Sequence, residues 1–503
     1  MKRCNVPAGR KLVDHKWVFK RKKNSIFRSR LVAKGYTQIP GIDFNENFAP
    51  VIGDVTMRTV IVIKMHRGFF TKYLDIETAF LHGDLEEEIY MSTPEGLDIF
   101  LEEDLNDECV VLIKSIYGLV QSARCYWKKF KNSLISMGFE IYHNDNCLLK
   151  RTNEKGIVII CLYVDDLFVT GDKESVLQAV EDIKEKYNIK INDEEPTNEF
   201  IGVTYEQMED GSIQISQPDT IEKLRKQFED AVSELKIYKS PAGTGETIIR
   251  NKEGISLPTE MQKSFRSGIG MLLWLMKHSR PDISNATREG SKVMDRATQG
   301  DYKYMLRIVK YVLETKEMKL LFNKDKKEEG TWRIVGYSDS DFAGDKDNRR
   351  SVTGFIIYFM GCPIAWRSRS QKSVALSSTE AEYYGMSDMV TEIIFIKNTL
   401  EFLGIKVELP IVVHVDNIGA IYLADNATSS NRTKHIDTRY HYTRDYVEDG
   451  IIKVKFVKSE NNDADTFTKN TKSEDFMKHT AKYMHTSNNK KKESKEVDEE
   501  NNG

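Results

Sequence analysis

The feature that most constrains this chain is an apolar run interrupted by two adjacent acids. Gly156 opens the strand-sized block Ile157 to Val164, Asp165-Asp166 follow at once, and Leu167-Phe168-Val169 resume the apolar pattern. Two apolar strands around a tight turn read as a hairpin, here with paired carboxylates as the turn. A second β-rich stretch, Tyr73-Leu74-Asp75-Ile76, ends on another acid. If the two elements lie side by side in one sheet, three carboxylates converge on one edge. Unpaired anions repel, so such a cluster calls for a counter-charge, and oxygen donors without His or Cys favour Mg²⁺ or Mn²⁺. Two such ions about 3.5–4 Å apart can activate a hydroxyl and stabilise a departing phosphate group. Taken alone, an Asp-Asp pair is more often a plain turn.

A similar pattern recurs in a later unit that begins at Trp332. Strands are expected over Ile334 to Ser338, Thr353 to Phe359 and Ile364 to Arg367. A long helix follows from Thr379 to about Phe402, with Met386, Met389, Val390, Ile393, Ile394 and Ile396 along one side. Ser377 and Glu380 have the spacing of a capping box. Then come a strand at Ile411 to Val415, a short helix from Asn417, a strand at Ile451 to Val457 and a last helix near Asn462. That order describes a mixed sheet with helices on its faces. Asp339 ends the first strand, Glu382 lies in the first turn of the long helix, Asp416 ends the fourth strand, and Asp465 begins the last helix. Four acids at the ends of four elements suit a two-metal nuclease. Each also has an ordinary reading, such as a helix-dipole acid for Glu382 or a helix cap for Asp416.

Elsewhere the sequence predicts a hairpin from Lys16–Lys20 and Arg30–Ala33 and a helix over Ala123–Met137. It predicts a further helix at Ser175–Tyr187 and mainly helical structure over 261–316, broken at Arg280-Pro281-Asp282. The pattern is lost near Ser240 to Gly245, and Lys324 to Gly330 reads as a charged linker. With 503 residues the chain exceeds one core. No apolar run approaches the roughly 20 residues of a membrane-spanning helix, and the N-terminus lacks a secretory block, so an intracellular, membrane-free protein is expected. The six cysteines are scattered without a Cys-x-x-Cys pair, which argues against zinc. Net charge is −3, yet Met1 to Tyr36 holds twelve Lys or Arg against one acid, whereas Leu81 to Glu108 holds none. One face for phosphate, or merely a solvated surface, fits that asymmetry.

Several motifs in order resemble the Pol polyprotein of copia-type LTR retrotransposons (Pseudoviridae). Tyr163-Val164-Asp165-Asp166 resembles the reverse transcriptase signature, and Tyr73 to Leu85 is similar to the family's upstream catalytic motif. Arg30 to Gln38 with Phe48-Ala49-Pro50-Val51 matches its fingers. Ser115-Ile116-Tyr117-Gly118-Leu119 with Gln121 matches its nucleotide pocket. Phe200-Ile201-Gly202, Phe265-Arg266-Ser267 and Arg280-Pro281-Asp282-Ile283 follow in order. Gly336 to Asp345, Leu376 to Tyr383, Val415-Asp416-Asn417, Arg432 to Asp437 and Ala464 to Lys469 are similar to the family's ribonuclease H segment.

The resemblance implies an α+β multidomain chain: a right-hand polymerase (fingers, palm, thumb) followed by a ribonuclease H-like mixed α/β domain. Expected boundaries are 1–240 for fingers and palm, 241–330 for a helical thumb or connection, 331–472 for the nuclease, and 473–503 for a disordered charged tail. Asp75, Asp165 and Asp166 would hold two ions in one site, and Asp339, Glu382, Asp416 and Asp465 two in the other. Asp341 and Glu380 are neighbours that do not fit the family's positions as well. Phe80 would bar a ribose 2′-hydroxyl, Gln121 would contact the incoming nucleotide, and Tyr163 would line the same pocket. Arg30 and Lys34 are candidates for the triphosphate or plain solvated charges; His435 would aid product release or be structural. Val120 stands where the family commonly has lysine, which removes one phosphate contact. Implied partners are an RNA template, a DNA or tRNA primer, deoxynucleoside triphosphates and the RNA–DNA hybrid, which both sites would hold. The element's Gag and integrase are further partners, within cytoplasmic virus-like particles or the nucleus. The family's upstream Gag, protease and integrase regions are not in this sequence, so a truncated or domesticated remnant that binds nucleic acid without catalysis is the alternative.

Overall fold

The computed structural model describes residues 1–7, 9–21, 25–97, 99, 109–193, 197–250, 253–324, 331–425 and 437–486. Two compact units emerge: residues 1–53 with 69–194, and residues 54–68 with 195–503. Neither is a continuous stretch of chain.

The first unit is built on a six-stranded antiparallel sheet. Its order is Ile189–Asp193, Phe70–Ile76, Asp166–Gly171, Gly156–Tyr163, Leu148–Asn153 and Glu140–Ile141. The expected hairpin is therefore flanked on both sides, and Val158 to Leu162 and Leu167 to Val169 are buried on both faces of the sheet, which is why they are apolar without alternation. The turn is one residue earlier than the sequence suggested: Tyr163 pairs with Asp166, so Val164-Asp165 form the two-residue loop and Asp166 already belongs to the returning strand. Val164 sits at φ +54°, an unfavourable region for a β-branched residue. Two amide contacts secure it nearby, Ile76 N to Asp165 O at 2.9 Å and Ile52 N to Leu162 O at 3.0 Å.

The basic hairpin forms as His15–Arg21 against Phe27–Ala33. Its inner end joins a small core of Val13, Ala33, Ile89, Met91, Val110, Leu112, Ile116 and Leu119. Helix Ser122–Ser136 matches the expected period and buries Tyr126, Phe130 and Leu134. Helix Lys173–Lys184 packs on the sheet through Val176, Ala179, Val180 and Ile183.

In the second unit, helices Pro218–Val232, Thr259–His278, Ser284–Ser291 and Gln299–Glu314 share one core. Gly268 permits their close approach: a Cβ there would lie 2.4 Å from Met305 Sδ and 2.9 Å from Phe228 Cζ. The predicted break at Arg280-Pro281-Asp282 is a buried ion pair. Arg280 is 1% exposed and donates to both Asp282 oxygens at 2.9 and 2.8 Å, while Tyr311 donates to Asp282 Oδ2 at 2.9 Å.

An antiparallel sheet, unforeseen in the sequence, links distant segments of this unit. Its order is Thr197–Phe200, Val203–Gln207, Ile213–Ser216, Lys319–Phe322 and Met484–His485. The last strand, and helix Ser473–Thr480 before it, fall where a disordered tail was expected. Polar composition misled there, because Phe476, Tyr483 and Met484 are buried anchors. Residues 487–503 and the charged run 325–330 lie outside the described residues. A helix at Asp54–Arg67 was likewise not anticipated.

The last sheet matches expectation. Its order is Cys362–Ser370, Val352–Phe359, Ile334–Asp341, Ile411–Val415 and Ile452–Phe456; the first two pairings are antiparallel and the last two parallel. The long helix Ser378–Phe402 lies across it. Ser377 Oγ caps Glu380 N at 3.1 Å, but the reciprocal half of the predicted box is shifted, with Glu380 Oε2 accepting from Leu376 N at 2.7 Å.

Candidate functional site

Two acid clusters lie at strand ends, one in each unit. In the first unit Asp75 stands directly opposite Asp166 across adjacent strands, and Asp165 occupies the intervening turn. Burial raises the Asp166 carboxyl to about 6, and the charges of Asp165 and Asp75 act in the same direction. Burial likewise raises Asp165, with Asp75 adding to it and Arg30 and Arg28 opposing. The three thus feel one another, although they do not form a set with one oxygen from each within 4.8 Å.

Beside this edge the chain leaves Phe70–Ile76, passes through Thr78 at φ +54° and forms a short 3-10 turn, Ala79–His82. The Ser115 hydroxyl donates to the Phe80 carbonyl and holds that turn. The Phe80 ring meets Tyr117 edge-on at 5.0 Å, and the Arg30 guanidinium lies over the other ring at 4.7 Å. Gly118 lets the pocket segment reach the fingers strand: at φ +90°, an added Cβ would lie 2.1 Å from Ala33 O. Gln121 is turned inward, 2% exposed. It donates to Asp43 O at 2.8 Å and accepts from Gln38 Nε2 at 3.1 Å, framing the loop beyond Lys34. Lys34 is drawn to Asp14 at 3.4 Å, and Val120 N donates to Gln38 Oε1 at 2.8 Å. Tyr163, half-buried, ends its strand opposite Asp166.

The second cluster is tighter. Asp339, Glu382 and Asp416 each offer an oxygen within 4.8 Å of the others. Asp339 comes from the central strand and is 3% exposed. Glu382 faces it because the long helix lies close at Gly385, where a Cβ would sit 2.4 Å from Ser340 Oγ. Ser340 N donates to Glu382 Oε1 at 3.1 Å, while Glu382 Oε2 is buried with no hydrogen-bond partner. Ser459 donates to Asp416 Oδ2 at 2.6 Å. Asp465 is joined to the group through Lys469, whose ammonium lies 3.1 Å from Asp465 Oδ2 and 3.7 Å from Asp339 Oδ2. The Thr468 hydroxyl also donates to Asp339. Gly354, opposite Asp339, admits this loop, since a Cβ there would meet Thr468 Cγ2 at 2.6 Å.

Burial is the first cause of every raised carboxyl here. Glu382 is pushed well up, with Asp339 and Asp416 adding; Asp465 rises to about 6, with Asp339 adding; Asp339 rises despite Lys469 and Thr468. Burial alone would lower the Lys469 ammonium, but Asp339 and Asp465 hold it above its ordinary value. Hard oxygen donors, two of them buried without partners (Glu382 Oε2 and Asp465 Oδ1), fit a divalent cation.

Residues 2–237 match the family model described as reverse transcriptase (RNA-dependent DNA polymerase). The retrovirus-related Pol polyprotein from transposon TNT 1-94 of Nicotiana tabacum is 34% identical over 484 residues, covering 93% of this chain and 35% of that protein. Its counterpart from transposon RE1 of Arabidopsis thaliana is 33% identical over 469 residues, covering 92% and 31%. Over nearly its whole length this chain is thus similar to retrotransposon Pol polyproteins, and over residues 2–237 to reverse transcriptases.

The chain spans about a third of the length of these curated relatives. Among solved structures, a foamy viral protease–reverse transcriptase in complex with double-stranded DNA is 13% identical with a TM-score of 0.47, covering 91% of this chain and 67% of that one. Asp339 and Glu382 lie in the tight cluster while Glu380 is occupied at the helix start. Sequence reasoning passed over Tyr117 as an individual residue, although it quoted the segment, and it passed over Lys469. The signal for Lys469 was present, four residues after Asp465 and so on the same helical side. His435 lies outside the described residues.

Proposed function

We propose that this chain copies RNA into DNA at the Asp75, Asp165 and Asp166 edge and cuts the RNA strand of RNA–DNA hybrids at the Asp339, Glu382, Asp416 and Asp465 site. Each site would take two Mg²⁺ or Mn²⁺ ions. The observation that carries the reading is the register of Asp75 opposite Asp166, beside the turn carrying Asp165, within the segment matching reverse transcriptases. When bound, divalent ions at such carboxylates polarise the attacking oxygen and neutralise charge on the leaving one. Phe80 would close the nucleotide pocket against a ribose 2′-hydroxyl, supported from behind by Tyr117. Arg30, whose charge already reaches Asp165, would face the triphosphate. In the nuclease, Ser340 N fixes one Glu382 oxygen and leaves the other for a cation.

Template, primer and hybrid would be gripped largely through phosphates, giving affinity that falls steeply with salt. The test is primer extension on an RNA template with Mg²⁺, alongside cleavage of a labelled hybrid. Asp165→Asn should abolish extension and spare cleavage; Asp339→Asn should do the reverse. Soluble wild-type protein that binds hybrid yet neither extends nor cleaves would establish the remnant reading instead.

A further inference from the structure

We propose that the segment Ser473–His485 is a positioning element for the nuclease site, holding residues 459–469, and hence Asp465 and Thr468, in register with Asp339. This rests on the hybrid-cleavage reading above.

The loop that carries Asp465 is gripped through the residue two positions before it. Asp463 is 3% exposed, and its carboxylate gathers three groups. Tyr358 donates from the sheet at 3.2 Å, His479 Nδ1 lies at 3.2 Å and Lys482 Nζ at 2.5 Å. Two of these come from the C-terminal segment. Lys478 Nζ from the same segment donates to Glu460 O at 2.6 Å and Asn461 Oδ1 at 3.1 Å. The fully buried Tyr483 ring lies 6.3 Å from Phe467.

The gripping segment is itself held at both ends. Phe476 enters the helical core, 6.0 Å from Tyr311. Tyr483 O accepts from Leu321 N at 3.1 Å, and Met484–His485 pair with Lys319–Leu320. On its far side the loop meets the catalytic strand directly, where Asn462 Nδ2 donates to Ser338 O at 2.9 Å and Thr468 donates to Asp339. A buried carboxylate stripped of a charged donor shifts to find water or another partner. A shift of Asp463 moves Asp465, two residues on.

The experiment uses the full chain with Lys482→Ala and the conservative Lys482→Arg. Outer partners of metal ligands typically change metal affinity or activity by about 10–100-fold. Lys482→Ala should therefore lower kcat for hybrid cleavage about tenfold, raise the Mg²⁺ concentration needed for half-maximal cleavage, and leave KM for hybrid and primer extension unchanged. Lys482→Arg should restore cleavage. Amide hydrogen exchange should quicken in residues 459–469 and not in Ile334–Asp341. Unchanged cleavage and exchange would overturn the proposal, as would faster exchange spread evenly through the unit. If the wild-type protein cleaves no hybrid, the functional reading fails. The exchange measurement still decides this one: quickening confined to 459–469 supports it, and no quickening there sinks it.

Discussion

Removing one charge from the cluster of Asp339, Glu382, Asp416 and Asp465 should make the metal-free protein more stable. The Asp465 carboxyl lies at about 6, raised first by burial and then by Asp339. Its side chain is 12% exposed, so solvent screens it little. Relative to an ordinary 3.8, the shift corresponds to about 3 kcal/mol of penalty for the ionised form. That shift already includes the Lys469 contact, so Asp465→Asn stands to gain at most about 3 kcal/mol, and about 1–3 once the amide's own burial is set against it. The sign follows from linkage: the folded state holds this proton more tightly than the unfolded chain. The penalty is thus absent below about 4 and complete above about 6. At pH 8 with a chelator, calorimetry should show the variant's transition about 2–6 °C above wild type; at pH 4 the difference should vanish. With Mg²⁺ at 100 times its dissociation constant, wild type should gain about 2.7 kcal/mol and the variant less. No rise at pH 8, or an equal rise at pH 4, would refute the claim that burial, reinforced by the charge of Asp339, holds this carboxyl up.

Arg280→Ala should destabilise the second unit by about 3–5 kcal/mol, because it leaves Asp282 buried without its cation; denaturant unfolding measures this. Phe80→Ala should increase ribonucleotide incorporation at least about tenfold, read as a ratio of kcat/KM values for ribo- and deoxynucleotides. The Mg²⁺ concentration needed for half-maximal extension should rise as pH falls through about 6, where the metal-free Asp166 takes up a proton, and a requirement unchanged from pH 5 to 8 would contradict that role.

Much of the fold was legible where burial is one-sided or total within a short span. The long helix showed its apolar side from Met386 to Ile396, and the acidic hairpin announced itself through unbroken apolar strands. Helix Asp54–Arg67 did not. All residues from Thr56 to Met65 are buried, so no polar side alternates with an apolar one, and Val60-Ile61-Val62-Ile63 read locally as strand. The short strands at Val203–Gln207, Lys319–Phe322 and Met484–His485 are defined by partners far away in sequence, which no local pattern encodes. Within the sites, the acids were legible because each lies near the end or the start of an element, Asp75 and Asp416 after apolar strands and Glu382 and Asp465 at helix starts. The inward turn of Gln121 was not, since an amide at a helix start looks the same whether it meets solvent or Gln38.

Helix Asp54–Arg67 follows the Phe48-Ala49-Pro50-Val51 segment in sequence yet belongs with the second unit. Arg58, 7% exposed, donates to Ile364 O at 2.7 Å and to Lys277 O at 3.0 Å, and lies over Trp366 at 4.1 Å. A polypeptide severed after residue 240 would leave that helix without its cover, its Val60 to Ile63 stretch bare and its guanidinium stranded. A single cut there therefore yields fragments with exposed apolar surface rather than two self-contained bodies. Recombination that swapped the segment after residue 240 for a distant counterpart would have to carry this helix along with it.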